Sequence, residues 1–318
     1  MDAAAAEPTW CLVGPTAVGK TAFALELAEA LGAWIVSMDS MQVYRRMDVG
    51  TAKPTAAERA RVPHLALDLV EPSESYDVQR YLSDARAAVE AARARGRRAL
   101  FVGGSGLYLK ALARGLHGGP GADPVLRADL EQRAQSEGAP ALHAELLRVD
   151  PAAAARIHPN DKKRVVRALE MFRQTGRPLS DWQREWGWHG HPHGQPLERP
   201  SEERELRIVG LRLGPEELAS RVRSRVQAML TQGWVDEAVA IRRDPGFGPT
   251  AIQALGYREV LAHADGALGR AELEERLVQR TRQFIRRQGT WFRSFAAVRW
   301  IDSRSAGALA EARALLEG

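Results

Sequence analysis

The sequence predicts an α/β protein: a parallel sheet flanked by helices, interrupted by a mainly helical insertion. Three observations carry this. Short apolar runs alternate with helical patterns over the first hundred residues. A glycine-rich loop joins the first apolar run to the first helix. The alternation stops near residue 123 and resumes with an apolar run at 205–213. Strands separated by helices need crossover connections, which make a sheet parallel.

Residues 10–13 (WCLV) read as the first strand, ended by Gly14. Apolar positions at helical spacing follow over 20–31. A second strand is expected at 33–36, ending in Ser37-Met38-Asp39-Ser40. A helix is expected at 85–94 and a third strand at 99–102, broken by Gly103-Gly104. Residues 124–148 and 161–175 read as helices, and 176–200 is rich in Gly, Pro, His and Trp. The run at 205–213 returns the chain to the sheet. Helices at 215–230, 233–243 and 270–296 lead to a last strand at 298–301. The expected organisation is a core of 1–122 and 201–318 around an insertion of 123–200. In such sheets ligands gather beyond the carboxyl ends of strands, so Gly14, Asp39 and Gly103 should converge.

The chain has 318 residues, 45% hydrophobic and 27% charged. That is globular composition and excludes wholesale disorder. It has only five lysines, so arginine supplies most of the positive charge behind a net +5. A single cysteine, Cys11, excludes an internal disulfide and a Cys-rich zinc site. No apolar run approaches the roughly 18 residues of a membrane span. No secretory signal is read in the first ten residues. A soluble, cytoplasmic monomer without a membrane partner is expected.

Gly14-Pro15-Thr16-Ala17-Val18-Gly19-Lys20-Thr21 fits GxxxxGK[ST] after a strand and before a helix, the context the phosphate-binding P-loop requires. Its backbone N–H groups turn toward phosphate oxygens, Lys20 adds charge, and Thr21 can hold Mg²⁺. The core is therefore P-loop NTPase-like. A nucleotide-hydrolysing P-loop protein normally has a second Mg²⁺ carboxylate at a strand end. The run at 99–102 ends in Gly103-Gly104-Ser105-Gly106 instead, and Asp39 is the one carboxylate ending an early strand. The loop can thus grip a diphosphate without hydrolysing a nucleotide.

Six blocks occur in order: GPTAVGKT at 14–21, DSMQVYRRMDVGTAKP at 39–54, VGGSGLYLKAL at 102–112, IHPNDKKRVVRALE at 157–170, GYRE at 256–259 and RRQGTWFR at 286–293. Together they resemble the bacterial tRNA dimethylallyltransferase (tRNA isopentenyltransferase) family over nearly the whole chain. The resemblance implies transfer of a dimethylallyl group from dimethylallyl diphosphate to the exocyclic N6 amine of the adenosine 3′ of a tRNA anticodon. It implies Mg²⁺ as cofactor and the tRNA anticodon stem-loop as partner. Lys20, Thr21 and Ser105 would stabilise the departing diphosphate. Ser105 stands where the family has Thr. Asp39 would be the general base, and its bland alternative is a helix cap. Ser40, Met41 and Gln42 would face the adenosine, with Gln42 reading its edge. Tyr44 and Lys53 either take part or only pack the loop.

The charge distribution points to RNA as well. Residues 270–299 hold eight Arg and three Glu. Arg286, Arg287, Gln288, Gly289, Thr290, Trp291, Phe292 and Arg293 interleave cations with aromatics, as RNA binding favours. The resemblance adds Lys163, Arg164, Val165, Val166 and Arg167, and Gln253, Ala254, Leu255, Gly256, Tyr257 and Arg258, as tRNA-contacting segments. The family carries Arg and Cys where this chain has Gln253 and Ala254. Arg127 and Arg221 match positions near the active site, or form surface ion pairs. His189, His191 and His193 alternate in a loop and are read as polar loop residues rather than a metal site. Trp182 and Trp186 are read as packing residues. The alternative function is an ATP-dependent small-molecule or nucleotide kinase binding ATP at the same loop. A GTPase-like RNA-binding module would need an NKxD motif, which is absent.

Overall fold

A computed structural model describes residues 8–115, 119–185 and 206–318. The chain divides into two compact units, one of Met1–Ala113 with Glu203–Gly318 and one of Arg114–Glu202.

The first unit is an α/β core. Its strands are β1 (Thr9–Val13), β2 (Ala33–Met38), β3 (His64–Leu65), β4 (Arg98–Gly103), β5 (Leu206–Arg212) and β6 (Val298–Asp302). All pair in parallel, in the order β3-β2-β4-β1-β5-β6. Its first helices are α1 (Lys20–Leu31), α2 (Ala56–Arg61), α3 (Val78–Arg93) and α4 (Gly106–Arg114). The second unit contributes α5 (Pro124–Ser136), α6 (Ala139–Val149), α7 (Pro151–Ala154), α8 (Lys162–Thr175) and α9 (Leu179–Glu185). The core resumes with α10 (Pro215–Thr231), α11 (Trp234–Arg243), α12 (Tyr257–Ala264), α13 (Arg270–Arg293) and α14 (Ala308–Glu317).

The strands read as continuous apolar runs because both faces of the sheet are covered. Side chains alternate between two cores with the period of two that a strand imposes. Cys11, Val13, Val36, Met38 and Phe101 enter one core with α3, α10, α12 and α13. Trp10, Leu12, Ile35, Leu100 and Val209 enter the other, covered by Ala24, Leu25 and Ala28 of α1 and by Ala312 and Leu316 of α14. The register pairs Val13 with Gly103 and Met38 with Gly103. The ends of β1, β2 and β4 are therefore side by side, which brings together the three loops expected to converge.

The second unit buries Leu130, Leu142, Leu146, Val165, Leu169 and Met171 as its own core. The single helix expected over 124–148 is two, because Gly138 and Pro140 end α5 and begin α6. Asp161 caps α8 by accepting from Arg164 N–H. None of the described helices is long and apolar enough to cross a membrane.

Candidate active site

β1 delivers the chain into the loop at 14–19, and Gly19, with φ 97°, opens α1. A left-handed residue there lets the loop close into a cradle before the helix starts. Lys20 Nζ donates to the carbonyls of Gly14 and Pro15, both at 2.8 Å. Its pKa falls from the usual lysine value to about 7, first because of burial and then because Arg225 lies beside it; Asp39 pulls the other way. Arg221 reaches the same loop, donating to Val18 O at 3.4 Å and pairing with Glu217 at 2.9 Å. The Thr21 hydroxyl, one residue into α1, makes no hydrogen bond to a described residue.

Beyond the strand ends lies a cavity of about 390 Å³. Thr16, Asp39, Ser40 and Ser105 form its polar side, with Met41 beside them. Val226, Met229, Trp234, Leu255 and Phe284 give it an apolar wall, and Arg225, Arg280, Arg287 and Trp291 complete it. Asp39 Oδ1 accepts from Met41 N–H at 2.8 Å, which fixes the carboxylate and leaves Oδ2 open. Ser105 follows β4 and receives Tyr108 N–H on its Oγ at 3.3 Å, so its own proton remains available. The glycines around Ser105 are required by close approach. A Cβ on Gly104 would lie 2.3 Å from Gln288 Nε2, and one on Gly106 2.7 Å from Trp291 Cβ. The turn exists in this form because α13 lies on it.

Arg225 was not legible in the sequence. It projects from α10 into the cavity, and burial, partly offset by Asp39, lowers its pKa. It makes no hydrogen bond or ion pair with any described residue. A guanidinium has five donors and does not lose its proton, so the site carries a fixed charge with unused donors. Together with Lys20 it makes the end of β1 strongly electropositive.

Several expected contacts are corrected by the structure. Gln42 does not line the cavity: its Oε1 accepts from Ser37 Oγ at 3.1 Å, and its Nε2 donates to the carbonyls of Thr51 and Ala52 at 3.3 Å. Gln288 lines the cavity but is largely buried, its amide engaged by two loops. Tyr257, Phe292, Val165 and Val166 are core residues, so their side chains hold the fold and cannot reach a ligand. Tyr44 is buried, and Lys53 is held by Tyr44 O, Asp48 and Asp68 at 2.6–2.7 Å, so both pack the loop. Glu237 secures that loop, accepting from Asp48, Val49 and Gly50 N–H at 2.7, 2.6 and 3.0 Å and from Tyr257 OH at 2.7 Å.

Other candidates stand where contact is feasible. Gln253, Ala254 and Leu255 line the cavity, although the Gln253 amide donates to Pro249 O. Arg258, Arg286, Arg287, Thr290 and Arg293 are exposed, and Gly289 is partly buried. Arg280, Phe284, Arg287 and Trp291, spaced i, i+4, i+7 and i+11, form one face of α13 against the cavity.

In the second unit, Arg127 and Arg167 bind the fully buried Glu170 at 2.6 and 2.9 Å, and Glu170 also accepts from Asp123 N–H at 2.9 Å. Arg167 further donates to Pro120 O. These two arginines are thus oriented by a carboxylate inside their own unit. Lys163 and Arg164 are exposed on the same helix. Trp182 packs against that core and stacks under Arg177. His189, His191, His193 and Trp186 lie outside the described residues.

Among the described residues no cluster of three His, Cys, Asp or Glu could hold a metal. The Thr21 hydroxyl has the hard-oxygen chemistry that would suit a hydrated divalent cation.

The description "IPP transferase" belongs to the family whose profile matches residues 42–295. The tRNA dimethylallyltransferase of Syntrophobacter fumaroxidans is 44% identical over 299 residues, covering 93% of this chain and 84% of that one. A tRNA isopentenylpyrophosphate transferase structure from Bacillus halodurans is 35% identical, covers 98% of this chain and 100% of its own, and gives a TM-score of 0.64. A eukaryotic dimethylallyltransferase acting on tRNA is 26% identical, with a TM-score of 0.73 over 97% of this chain and 78% of its own. With this match across most of its length, the chain belongs to the IPP transferase family.

Proposed function

We propose that this protein transfers a dimethylallyl group from dimethylallyl diphosphate to N6 of the adenosine 3′ of a tRNA anticodon, releasing diphosphate. One observation carries the chemistry: Asp39, Ser105 and Arg225 face a single cavity beside the P-loop. The allylic C–O bond breaks as N6 attacks carbon, and the electron pair leaves with the diphosphate. The P-loop amides, Lys20 and Arg225 stabilise that growing charge. Ser105 donates a hydrogen bond from its hydroxyl to the departing oxygen and keeps its proton. Mg²⁺ carried on the diphosphate and touched by Thr21 would add further neutralisation. The free oxygen of Asp39 accepts the N6 proton, raising electron density on an amine whose lone pair is conjugated into the ring. Val226, Met229, Trp234 and Phe284 receive the five-carbon chain and keep water from the cation.

The RNA reading rests on α13, whose cavity face offers two arginines and two aromatics, the mixture that stacks an extruded base. Lys163 and Arg164 supply phosphate contacts from the second unit. A monomer in the cytoplasm accords with this reading. The test is incubation of the protein with total tRNA, Mg²⁺ and dimethylallyl diphosphate without ATP, followed by nucleoside mass analysis. The expected result is an adenosine heavier by one dimethylallyl group, at the position 3′ of the anticodon. Robust ATP hydrolysis with no mass gain on tRNA would overturn the proposal in favour of a kinase.

A further inference from the structure

The Gln288 carboxamide joins three parts of the core that are distant in sequence. Its Oε1 accepts from Thr16 N–H in the P-loop at 2.9 Å, and its Nε2 donates to Gly104 O in the turn after β4 at 3.0 Å. Only one orientation of the amide satisfies both partners, and the side chain is 4% exposed. A Cβ at Gly104 would lie 2.3 Å from Nε2, so any larger residue there would have to displace the Gln288 amide. Thr16 and Gly104 flank the groups that hold the diphosphate, and α13 carries Arg280, Phe284, Arg287 and Trp291 on the cavity.

We infer that Gln288 is a positioning residue, which registers the P-loop against the Ser105 turn and ties both to α13. It edges the cavity wall, but both hydrogen bonds of its amide go to the backbone of the two loops. It sets the distance between the cradle for the diphosphate and the hydroxyl that meets the leaving oxygen. A shift of about 1 Å between such groups costs on the order of 10²-fold in rate. This inference rests on the transferase reading, and it departs from the expectation that the segment 286–293 acts wholly as an RNA contact.

Gln288→Met removes both hydrogen bonds at nearly constant length, whereas Gln288→Glu keeps the acceptor for Thr16 N–H and loses the donor to Gly104. Four quantities are measured for each: affinity for inorganic diphosphate by calorimetry, tRNA affinity by filter binding, single-turnover rate at saturating substrates, and thermal midpoint. For Gln288→Met we expect diphosphate affinity to fall about tenfold and the rate roughly 10–100-fold. Its tRNA affinity should stay within about twofold of wild type. Gln288→Glu should hold the loop better than Gln288→Met if its acceptor bond matters, giving the higher diphosphate affinity of the two once ionic strength screens its charge. A tenfold loss of tRNA affinity with the saturated rate intact would overturn the inference, as would unchanged diphosphate affinity in Gln288→Met. If Gln288→Met does not fold, Gln288→Asn, which keeps the amide one methylene short, decides by the same criteria. Failure of the wild type to modify tRNA would sink the transferase reading, and the diphosphate titrations would still judge the positioning role.

Discussion

Lys20 is the residue whose perturbation is most sharply specified. In the free protein its ammonium is buried beside Arg225, and its pKa is depressed to about 7. An unfolded chain restores the lysine to about 10.4. Between these values the unfolded state binds more protons, so this group makes stability rise as pH rises from about 7 toward 10. At one pKa unit per roughly 1.4 kcal/mol the full difference would be about 5 kcal/mol. Lys20 as a whole is only half-buried, and two carbonyls accept from its Nζ. A discounted effect of about 1–2 kcal/mol is therefore expected. Lys20→Met removes the charge at similar length. Urea unfolding of both proteins at pH 6, 7, 8 and 9 should show Lys20→Met the more stable at and below pH 7, with the gap closing as pH rises. Adding inorganic diphosphate should reverse the order, since the anion gives the ammonium its partner. A gap that is absent at pH 7, or constant with pH, would refute the claim that this lysine is held under strain for an anion.

Asp39→Asn keeps an oxygen for Met41 N–H but loses the proton acceptor, so single-turnover transfer should fall roughly 10²–10⁴-fold while both substrates bind within a few-fold. Arg225→Met should leave the fold intact or stabilise it, because no described residue uses its donors. It should weaken diphosphate binding about tenfold or more, read by calorimetry. Glu170→Ala would leave Arg127 and Arg167 without their carboxylate and destabilise the second unit by about 2–4 kcal/mol, measured by chemical denaturation. Burial raises the Glu170 pKa, but hydrogen bonds from Arg127 and Arg167 outweigh it and hold the carboxyl below its usual range. Its stabilisation is therefore present above the unfolded carboxylate pKa and lost as pH falls through the folded one, and Glu170→Gln should flatten that acid limb.

The sheet and the P-loop were legible because both depend on local pattern. A buried parallel strand must be apolar throughout, and a phosphate loop must place its glycines between a strand and a helix. Five of the six strands follow from that rule. Two-residue β3 has too little sequence to show a pattern, and the mostly short helices α2, α4, α7, α9, α12 and α14 lack a periodicity distinct enough to predict them. Asp39 and Ser105 could be singled out as strand-end residues. Their shared cavity depends on Met38 pairing with Gly103, a register that no local pattern specifies. Arg225 looks like any polar residue of an amphipathic helix, since its neighbours Arg221 and Arg223 form ordinary ion pairs. Gln42 and Gln288 are ambiguous in sequence for the converse reason: an amide suits base recognition and loop bracing equally, and only the fold shows which partners it takes.

The loop at 48–50 presents three successive N–H groups to one carboxylate, the arrangement that elsewhere in proteins captures phosphate. Here the occupant is covalently part of the chain, Glu237 on α11. The enzyme thus holds two backbone cradles for anions, one permanently plugged by its own side chain and one left open at the P-loop. A tethered carboxylate cannot diffuse away, so the plugged cradle turns an otherwise adhesive stretch of backbone into a rigid strut behind Gly50 and Thr51. Of these two cradles, only the one beside the cavity is left free to take an anion from outside the chain.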